Sequence, residues 1–301
     1  MRLYCEKINY FLKERIRRRK GLSLSQKPSH SILKRQGGDR MSEYQVPKVW
    51  QENPAQKNPF GNQPTAGSRF EQKLPIGKHP LQVYSLGTPN GQKVAILLEE
   101  LKEANVVAAE YDLYRIDIMK GEQFGSEFVK INPNSKIPAM VDYSVNPPLP
   151  VFESASILLY LAEKYQQFIP TTLAKKTEMM NWLFWQTGAA PLVGGGFGHF
   201  YHYAPFAQEY PINRYAMETK RQLDVLDQHL SDKEYMLGET YTIADMLIWP
   251  WYGRLVQGEM YGDAGEFLQV QEYPHLIKWA ERIGKRPAVQ RALTLEYQAI
   301  N

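Results

Sequence analysis

The sequence is poor in cysteine, and this scarcity excludes several kinds of chemistry. Its 301 residues include one cysteine, Cys5, so no intrachain disulfide can form and no CxxC redox or metal motif is possible. No run of ~18 consecutive apolar residues is present, so no membrane-spanning helix is predicted. No apolar segment of ~7–15 residues follows the N-terminal charges, which argues against a secretory signal. Any thiol chemistry must therefore use a thiol that a ligand supplies.

Acidic residues are scarce only near the N-terminus. Residues 1–40 carry 12 Lys and Arg against three acidic residues, whereas the remainder of the chain is net acidic. The positive sign of the formal net charge, +4 for the whole chain, therefore comes from this segment alone. We predict neither a nucleic-acid nor a membrane partner for the folded body. We interpret residues 1–41 as a basic, disordered extension, with Met41 as an alternative start. An Arg-rich organelle presequence and a patch for nucleic acid or anionic lipid are the other interpretations.

Composition and the spacing of apolar residues divide the rest of the chain into three segments. Residues 42–79 are rich in Pro, Gln and Asn and predict an irregular arm. Residues 80–168 predict the order β-α-β-α-β-β-α, which is one α/β layer with a mixed sheet. Residues 172–301 predict an all-α domain, with helices near 173–190, 206–231, 242–256 and 273–283.

Three short segments stand where an α/β domain can offer backbone groups to a ligand. Thr88-Pro-Asn90 ends a strand at a helix N-terminus. Asn134-Ser-Lys-Ile-Pro138 opens a strand, and its proline suits a cis peptide bond that would turn the N–H and C=O of Ile137 towards an extended ligand. Phe152-Glu-Ser-Ala-Ser156 opens a helix, whose free N–H groups and positive dipole end can hold a carboxylate.

In this order the three segments resemble the glutathione site of the glutathione transferase family. Further segments, Trp182–Trp185, Gly194–His202 and Ile248–Trp251, resemble the nu-class branch, the bacterial glutathione-dependent disulfide-bond oxidoreductases. The resemblance runs from about Val46 to about Ala292. It implies a thioredoxin-like N-terminal domain with a mixed sheet, followed by an all-helical glutathione transferase C-terminal domain. It also implies a homodimer and a cytoplasmic location.

The resemblance implies an enzyme that needs no metal. Glutathione would be the co-substrate, and its thiol would reduce small disulfides, with organic peroxides as a second substrate class. This agrees with the lack of a protein CxxC motif. The alternative is a non-enzymatic glutathione-binding or regulatory protein on the same fold. Intact Thr88 and Asn90 favour the enzyme, because a pure binder need not keep groups aimed at a sulfur.

The resemblance also implies which residues form the site. Thr88 and Asn90 would lie near the glutathione sulfur and favour its thiolate. Glu153 would meet the γ-glutamyl ammonium, Ser154 the adjacent carboxylate, and Arg214 the glycyl carboxylate. The full set implied to touch glutathione is Asn62, Thr88, Pro89, Asn90, Gln123, Ile137, Glu153, Ser154 and Arg214.

Three features fall outside the pattern that the resemblance implies. Some relatives have a ligand-contacting glutamine two residues after Trp-Leu-Phe-Trp, where this chain has Thr187. Gln186 lies one residue earlier, about 100° around a helix, so no glutathione contact from this helix is predicted. The aromatic neighbours of His199 and His202 indicate packing or a pocket wall rather than a metal site. Tyr84, on a predicted strand, is predicted to be a core residue.

Overall fold

The computed structural model describes residues 45–53 and 63–300. Residues 45–53 belong to one compact unit, and they are exposed chain without a helix or strand. Residues 63–300 belong to a second unit and contain all the helices and strands of the described chain. The predictions for residues 1–41 and for Asn62 lie outside the described residues.

A five-stranded mixed sheet forms the α/β layer. Its strands are β1 Leu81–Ser85, β2 Tyr111–Arg115, β3 Ala139–Asp142, β4 Leu149–Phe152 and β5 Gln298–Ala299. Their spatial order is β4-β3-β1-β2-β5; β2 is parallel to β1 and to β5, and the other pairs are antiparallel. The mixed sheet and its first four strands confirm the prediction. Strand β5 was not predicted, because two residues are too few to show a period.

Nine α-helices and one π-helix accompany the sheet within residues 63–300. Three of them alternate with the strands: α1 Pro89–Glu103, α2 Ser126–Ile131 and α3 Ser154–Tyr165. The helical layer follows in the order α4 Leu173–Pro191, a π-helix Leu192–Tyr203, α5 Glu209–His229, α6 Ile243–Val256, α7 Ala264–Phe267, α8 Pro274–Gly284 and α9 Pro287–Leu293. Short 3-10 helices lie at Val107–Ala109, Glu122–Phe124 and Val270–Glu272. The predicted helical domain is confirmed, whereas the π-helix, α7 and α9 were not predicted.

Helix α6 occupies the centre of the helical layer. It begins with the predicted capping box, in which Asp245 Oδ2 accepts from the Thr242 N–H at 3.0 Å and Thr242 Oγ1 accepts from the Ala244 N–H at 3.3 Å. Almost all of its residues are buried. The Trp249 indole N–H donates to the Ala280 carbonyl at 2.9 Å, which ties α6 to α8.

Helix α1 joins the two layers. Its predicted apolar face is buried, and so is much of the opposite face, because α1 contacts α6 and α9 as well as α3. Glu100, 2% exposed, receives two hydrogen bonds from the Arg286 guanidinium at 2.5 and 2.8 Å. Arg291 pairs with buried Glu99 at 2.7 Å. Removing one partner of a buried ion pair leaves the other charge buried without compensation. The pairs of Glu99 and Glu100 therefore hold the α/β layer and the helical layer in one arrangement. These pairs lie near the C-terminal end of α1, and at its N-terminal end Gln92 Oε1 accepts from Arg254 of α6 at 3.0 Å.

Candidate functional site

Two adjoining cavities open where the layers meet. The larger, of about 550 Å³, extends from α1 and α3 to α4, the π-helix and α6. The smaller, of about 180 Å³, lies beside the loop that precedes β3. Asn90, Glu153 and Ser154 line both cavities. A separate cavity of about 500 Å³ beside β2 and β5 contains none of the predicted site residues. The shared wall is therefore the candidate site.

The smaller cavity is bounded by a loop that Asn132 organises. Asn132 is 1% exposed; its Nδ2 donates to the Lys136 carbonyl at 2.6 Å, and its Oδ1 accepts from the Asn134 N–H at 2.9 Å. The loop ends in a cis peptide bond between Ile137 and Pro138, as the sequence indicated. Ile137 lines the cavity. The loop thus places Ile137 in the same cavity wall as Glu153 and Ser154.

Glu153 and Ser154 stand at the N-terminus of α3. Glu153 is the N-cap residue, with φ 68° and ψ 122°, and its side chain makes no capping hydrogen bond. This is a rare conformation for a residue with a side chain, costs about 1–3 kcal/mol, and is typical of ligand sites. Because no side chain caps this end, the first N–H groups of α3 remain available to an anion. Ser154 is the first residue of α3 and is 8% exposed.

The N-terminus of α1 brings Asn90 to the same wall. Thr88 is the N-cap, and its Oγ1 accepts from the Gly91 N–H at 3.4 Å. Glycine is required at 91, because a Cβ there would come within 1.9 Å of the Leu86 carbonyl oxygen. The Trp251 indole N–H donates to Asn90 Oδ1 at 2.9 Å across 161 residues of sequence. This contact uses the oxygen of the Asn90 amide, so Nδ2 is the atom that can donate to a ligand.

Lys93 is a site residue that the sequence analysis missed. It is 2% exposed, and its Nζ donates to Ser154 Oγ at 3.4 Å and to Gln186 Oε1 at 3.1 Å. Burial lowers the pKa of Lys93 to about 7, and the charge of Glu153 opposes that shift. One signal was available: position 93 is four residues before Leu97, so a lysine stands on the predicted apolar face of α1.

The π-helix forms the far wall of the larger cavity. Gly194, Gly195, His199 and Tyr203 line it, together with Trp251 from α6. A Cβ at Gly194 would come within 2.4 Å of the Trp251 ring, so this glycine lets the indole approach the π-helix. His199 is thus part of a pocket wall, one of the two predicted interpretations, whereas exposed His202 lines neither cavity. No cluster of three His, Cys, Asp or Glu side chains that could hold a metal occurs in residues 45–53 and 63–300.

Comparison with known proteins agrees with this architecture. The glutathione S-transferase N-terminal domain model matches residues 79–163, and the C-terminal domain model matches residues 209–282. The disulfide-bond oxidoreductase YghU of Escherichia coli is 58% identical over 250 residues, which are 82% of this chain and 86% of that protein. The chain belongs to the glutathione S-transferase family. The similarity to YghU confirms the branch that the sequence motifs indicated.

Solved structures of other family members support the same assignment. The crystal structure of the glutathione transferase YghU from Streptococcus pneumoniae, complexed with glutathione, has a TM-score of 0.84 and 58% identity. The match covers 86% of this chain and all of that one. A glutathione transferase from Pseudomonas putida, with one glutathione disulfide bound per subunit, has a TM-score of 0.66 and 36% identity. That match covers 73% of this chain and 94% of the other.

The structure brings together four of the residues that the family resemblance implied. Asn90, Ile137, Glu153 and Ser154 line the two cavities. Four others line neither cavity: Thr88 and Pro89 at the start of α1, Gln123 and Arg214. Gln123 is buried in a 3-10 helix, where its Nε2 donates to the Ile118 carbonyl at 3.4 Å, and Arg214 is exposed on α5. Gln186 and Thr187 both line the larger cavity, although no ligand contact was predicted from their helix.

Tyr84 is a core residue, as predicted. It is 1% exposed, it stacks on Tyr114, and its hydroxyl donates to the Pro75 carbonyl at 2.8 Å. Burial raises the pKa of Tyr84 far above its usual range. Within residues 45–53 and 63–300, no helix has the length and apolar character needed to cross a membrane.

Proposed function

We propose that this protein is a glutathione-dependent disulfide reductase in which the thiol of bound glutathione attacks the substrate. One observation carries the proposal. Asn90, Glu153 and Ser154 share the wall between two cavities and present an amide donor, a carboxylate and an uncapped helix N-terminus. These groups complement a sulfur, an ammonium and a carboxylate, which glutathione carries at its cysteinyl and γ-glutamyl parts.

The residues divide between holding the ligand and activating it. Glu153 faces the γ-glutamyl ammonium, and Ser154 with the N-terminus of α3 faces its carboxylate. The backbone of Ile137 pairs with the extended tripeptide as an added strand beside β3. Asn90 donates through Nδ2 to the sulfur, with Thr88 and Pro89 at the same helix end. The contacts of Asn62, Gln123 and Arg214 with glutathione stay predictions.

Trp251 is a positioning residue in this scheme. Its indole N–H donates to Asn90 Oδ1 and so fixes which side of the amide faces Trp251. The amide nitrogen Nδ2 then faces away from the indole, towards the ligand. A hydrogen bond to the charged form of a thiol lowers its pKa, so an oriented Asn90 favours the thiolate. The N-terminus of α1 acts in the same direction.

The reaction proceeds by thiol–disulfide exchange. The thiolate attacks one sulfur of the substrate disulfide; a new S–S bond forms, the substrate S–S bond breaks, and the leaving thiolate takes a proton from water. A second glutathione thiolate then attacks the mixed disulfide, giving glutathione disulfide and the second substrate thiol. The larger cavity, walled by His199, Tyr203 and Trp251, gives the disulfide a place beside the sulfur. An organic peroxide is a second substrate class: the thiolate attacks one peroxide oxygen, an S–O bond forms, and the O–O bond breaks to release the alcohol. The thiol of a second glutathione then reacts with the sulfenic acid, giving glutathione disulfide and water.

The deciding experiment is turnover of a small symmetric disulfide with glutathione, coupled to NADPH oxidation by glutathione reductase. We expect saturable turnover above the uncatalysed exchange, and binding of glutathione by calorimetry. Binding without turnover of any disulfide or peroxide tested would favour the alternative, a non-enzymatic glutathione-binding or regulatory protein. Absence of both binding and turnover would refute the proposal.

We also propose a homodimer that acts in the cytoplasm. Exposed apolar side chains occur at the β3–β4 hairpin, including Tyr143, Val145 and Leu149, and Phe184 on α4 is 69% exposed. Single exposed apolar residues are common on any protein, but several on one hairpin suit a contact surface between subunits. Light scattering after size exclusion should give twice the chain mass, and Phe184→Asp should weaken the association. The reducing cytoplasm is the compartment in which a glutathione thiol stays available.

A further inference from the structure

Three helices bring a buried lysine, a serine and a glutamine together behind the shared wall. Lys93 of α1 donates to Ser154 Oγ at 3.4 Å and to Gln186 Oε1 of α4 at 3.1 Å. Lys93 is 2% exposed, Gln186 1% and Ser154 8%. All three line the larger cavity. We call these residues the Lys93 site.

The Lys93 site has more donors than acceptors. An ammonium carries three donor protons and no acceptor, and the two contacts of Lys93 use two of them. Gln186 Nε2 is buried and has no hydrogen-bond partner among the described residues. Buried polar groups are almost always paired, so an unpaired donor in a cavity wall indicates a missing acceptor.

The site also lacks a counter-charge. Among the described residues, the ion pairs within 4.0 Å do not include Lys93. The carboxylate that acts on its charge is Glu153, while His199 and Tyr203 are the other titratable groups that line the cavity. A buried cation without a paired anion is unfavourable. An anionic oxygen from a ligand would supply both the acceptor and the charge.

We propose that the Lys93 site binds the α-carboxylate of a γ-glutamyl ligand, with Lys93 and Gln186 as direct donors beside Ser154, and that binding takes up a proton. This inference rests on the proposed function. It adds two binding residues, Lys93 and Gln186, and a pH dependence. Glu153, which lines the same wall, is placed to receive the ammonium of the same amino-acid group.

The proton uptake follows from the burial of Lys93. In the free protein its pKa is about 7, so at pH 8 most molecules hold a neutral amine. A bound carboxylate favours the ammonium and raises the pKa of Lys93. Ligand affinity should therefore fall about fivefold between pH 7 and pH 8, and binding at pH 8 should take up about 0.5–1 proton per site.

The test uses S-methylglutathione, because its blocked thiol cannot titrate. Calorimetry at pH 8 in two buffers of different ionisation enthalpy measures the protons taken up. Wild type should take up about 0.5–1 proton, and Lys93→Met should take up almost none and bind at least about tenfold more weakly at pH 6. Gln186→Leu should weaken binding about threefold to tenfold and keep the uptake. His199→Gln should keep the proton uptake.

Two controls separate binding from folding. Lys164→Met removes another lysine with little exposure, which pairs with Asp142 outside both cavities, and should leave affinity and proton uptake unchanged. An analogue of S-methylglutathione without the α-carboxylate should bind wild type and Lys93→Met equally, with little proton uptake by wild type. This second control needs no variant of the protein.

The outcomes distinguish the inference from the proposed function. If wild type does not bind S-methylglutathione, the proposed function fails. If wild type binds it but Lys93→Met keeps the same affinity and the same proton uptake, Lys93 is only structural and this inference is wrong. The inference would also be overturned if Lys93→Met lost equal affinity for S-methylglutathione and for the analogue without the α-carboxylate.

Discussion

The sulfur contact of Asn90 gives the sharpest test of the proposed mechanism. Asn90→Ala removes the amide donor and leaves Glu153, Ser154 and Ile137 to hold the ends of the tripeptide. A hydrogen bond to a charged group contributes about 1.5–3 kcal/mol. One pKa unit corresponds to about 1.4 kcal/mol, so the pKa of the bound thiol should rise by about 1–2 units. Affinity for S-methylglutathione should change little.

The rate of exchange should fall by less than the lost fraction of thiolate would suggest, because the remaining thiolate reacts faster. A thiolate of higher pKa is more nucleophilic, with a Brønsted coefficient of about 0.4–0.5, which offsets nearly half of the lost thiolate. At a pH below both pKa values, exchange should therefore slow by roughly four- to fifteenfold. At a pH above both pKa values, the variant should equal or exceed wild type. This crossing of the two pH profiles is the signature of lost thiolate stabilisation.

The assay combines the ultraviolet absorbance of the bound thiolate against pH with the pH dependence of disulfide turnover. Trp251→Phe is one control, because it removes the 2.9 Å contact to Asn90 Oδ1 but keeps the amide donor. Its thiol pKa should shift less than that of Asn90→Ala. Trp249→Phe removes an indole hydrogen bond of the same length within α6 and should lower stability without moving the thiol pKa. An unchanged thiol pKa and parallel pH profiles for Asn90→Ala would refute the role of this residue.

Four further predictions follow from the structure. Thr88→Val should slow turnover less than Asn90→Ala, because Thr88 lines neither cavity and its Oγ1 caps α1; a larger effect of Thr88→Val would contradict this ranking. Glu153→Gly and Glu153→Ala should both weaken glutathione binding about tenfold by calorimetry, but the glycine variant should be about 1 kcal/mol more stable in urea, because φ is 68° at this position. Cys5→Ser, which leaves no cysteine in the chain, should keep wild-type turnover, and a loss would show that the protein supplies a sulfur. Lys93→Met should be more stable than wild type at pH 6, and this difference should be smaller at pH 9. Burial lowers the pKa of Lys93 to about 7, so the folded wild type bears the full cost of burying the charge, at most about 5 kcal/mol, below pH 7. That cost falls as the pH rises towards the usual lysine pKa, because the folded protein then holds a neutral amine.

The sequence by itself determined the local parts of this protein. The strand before Thr88, the apolar face of α1 and the helical segments after Pro170 follow from periods of two and 3.6 residues, which neighbouring residues alone define. The cis bond before Pro138 and the capping box at Thr242 are local as well. Glu153 and Ser154 could be placed at a helix start for the same reason. Each of these features depends on residues close together in the chain.

Only the tertiary structure decided which polar groups meet. Trp251 reaches Asn90 across 161 residues, and Lys93 reaches Gln186 across 93. These contacts depend on how α4 and α6 pack against α1, and the period of one helix carries no information about the rotation of another around it. The same packing leaves Arg214 exposed and outside both cavities. Lysine is usually a surface residue, and its place on the apolar face of α1 was the one sequence signal that Lys93 is different. Only the packing of α1, α3 and α4 buries its amine and brings Ser154 and Gln186 to it.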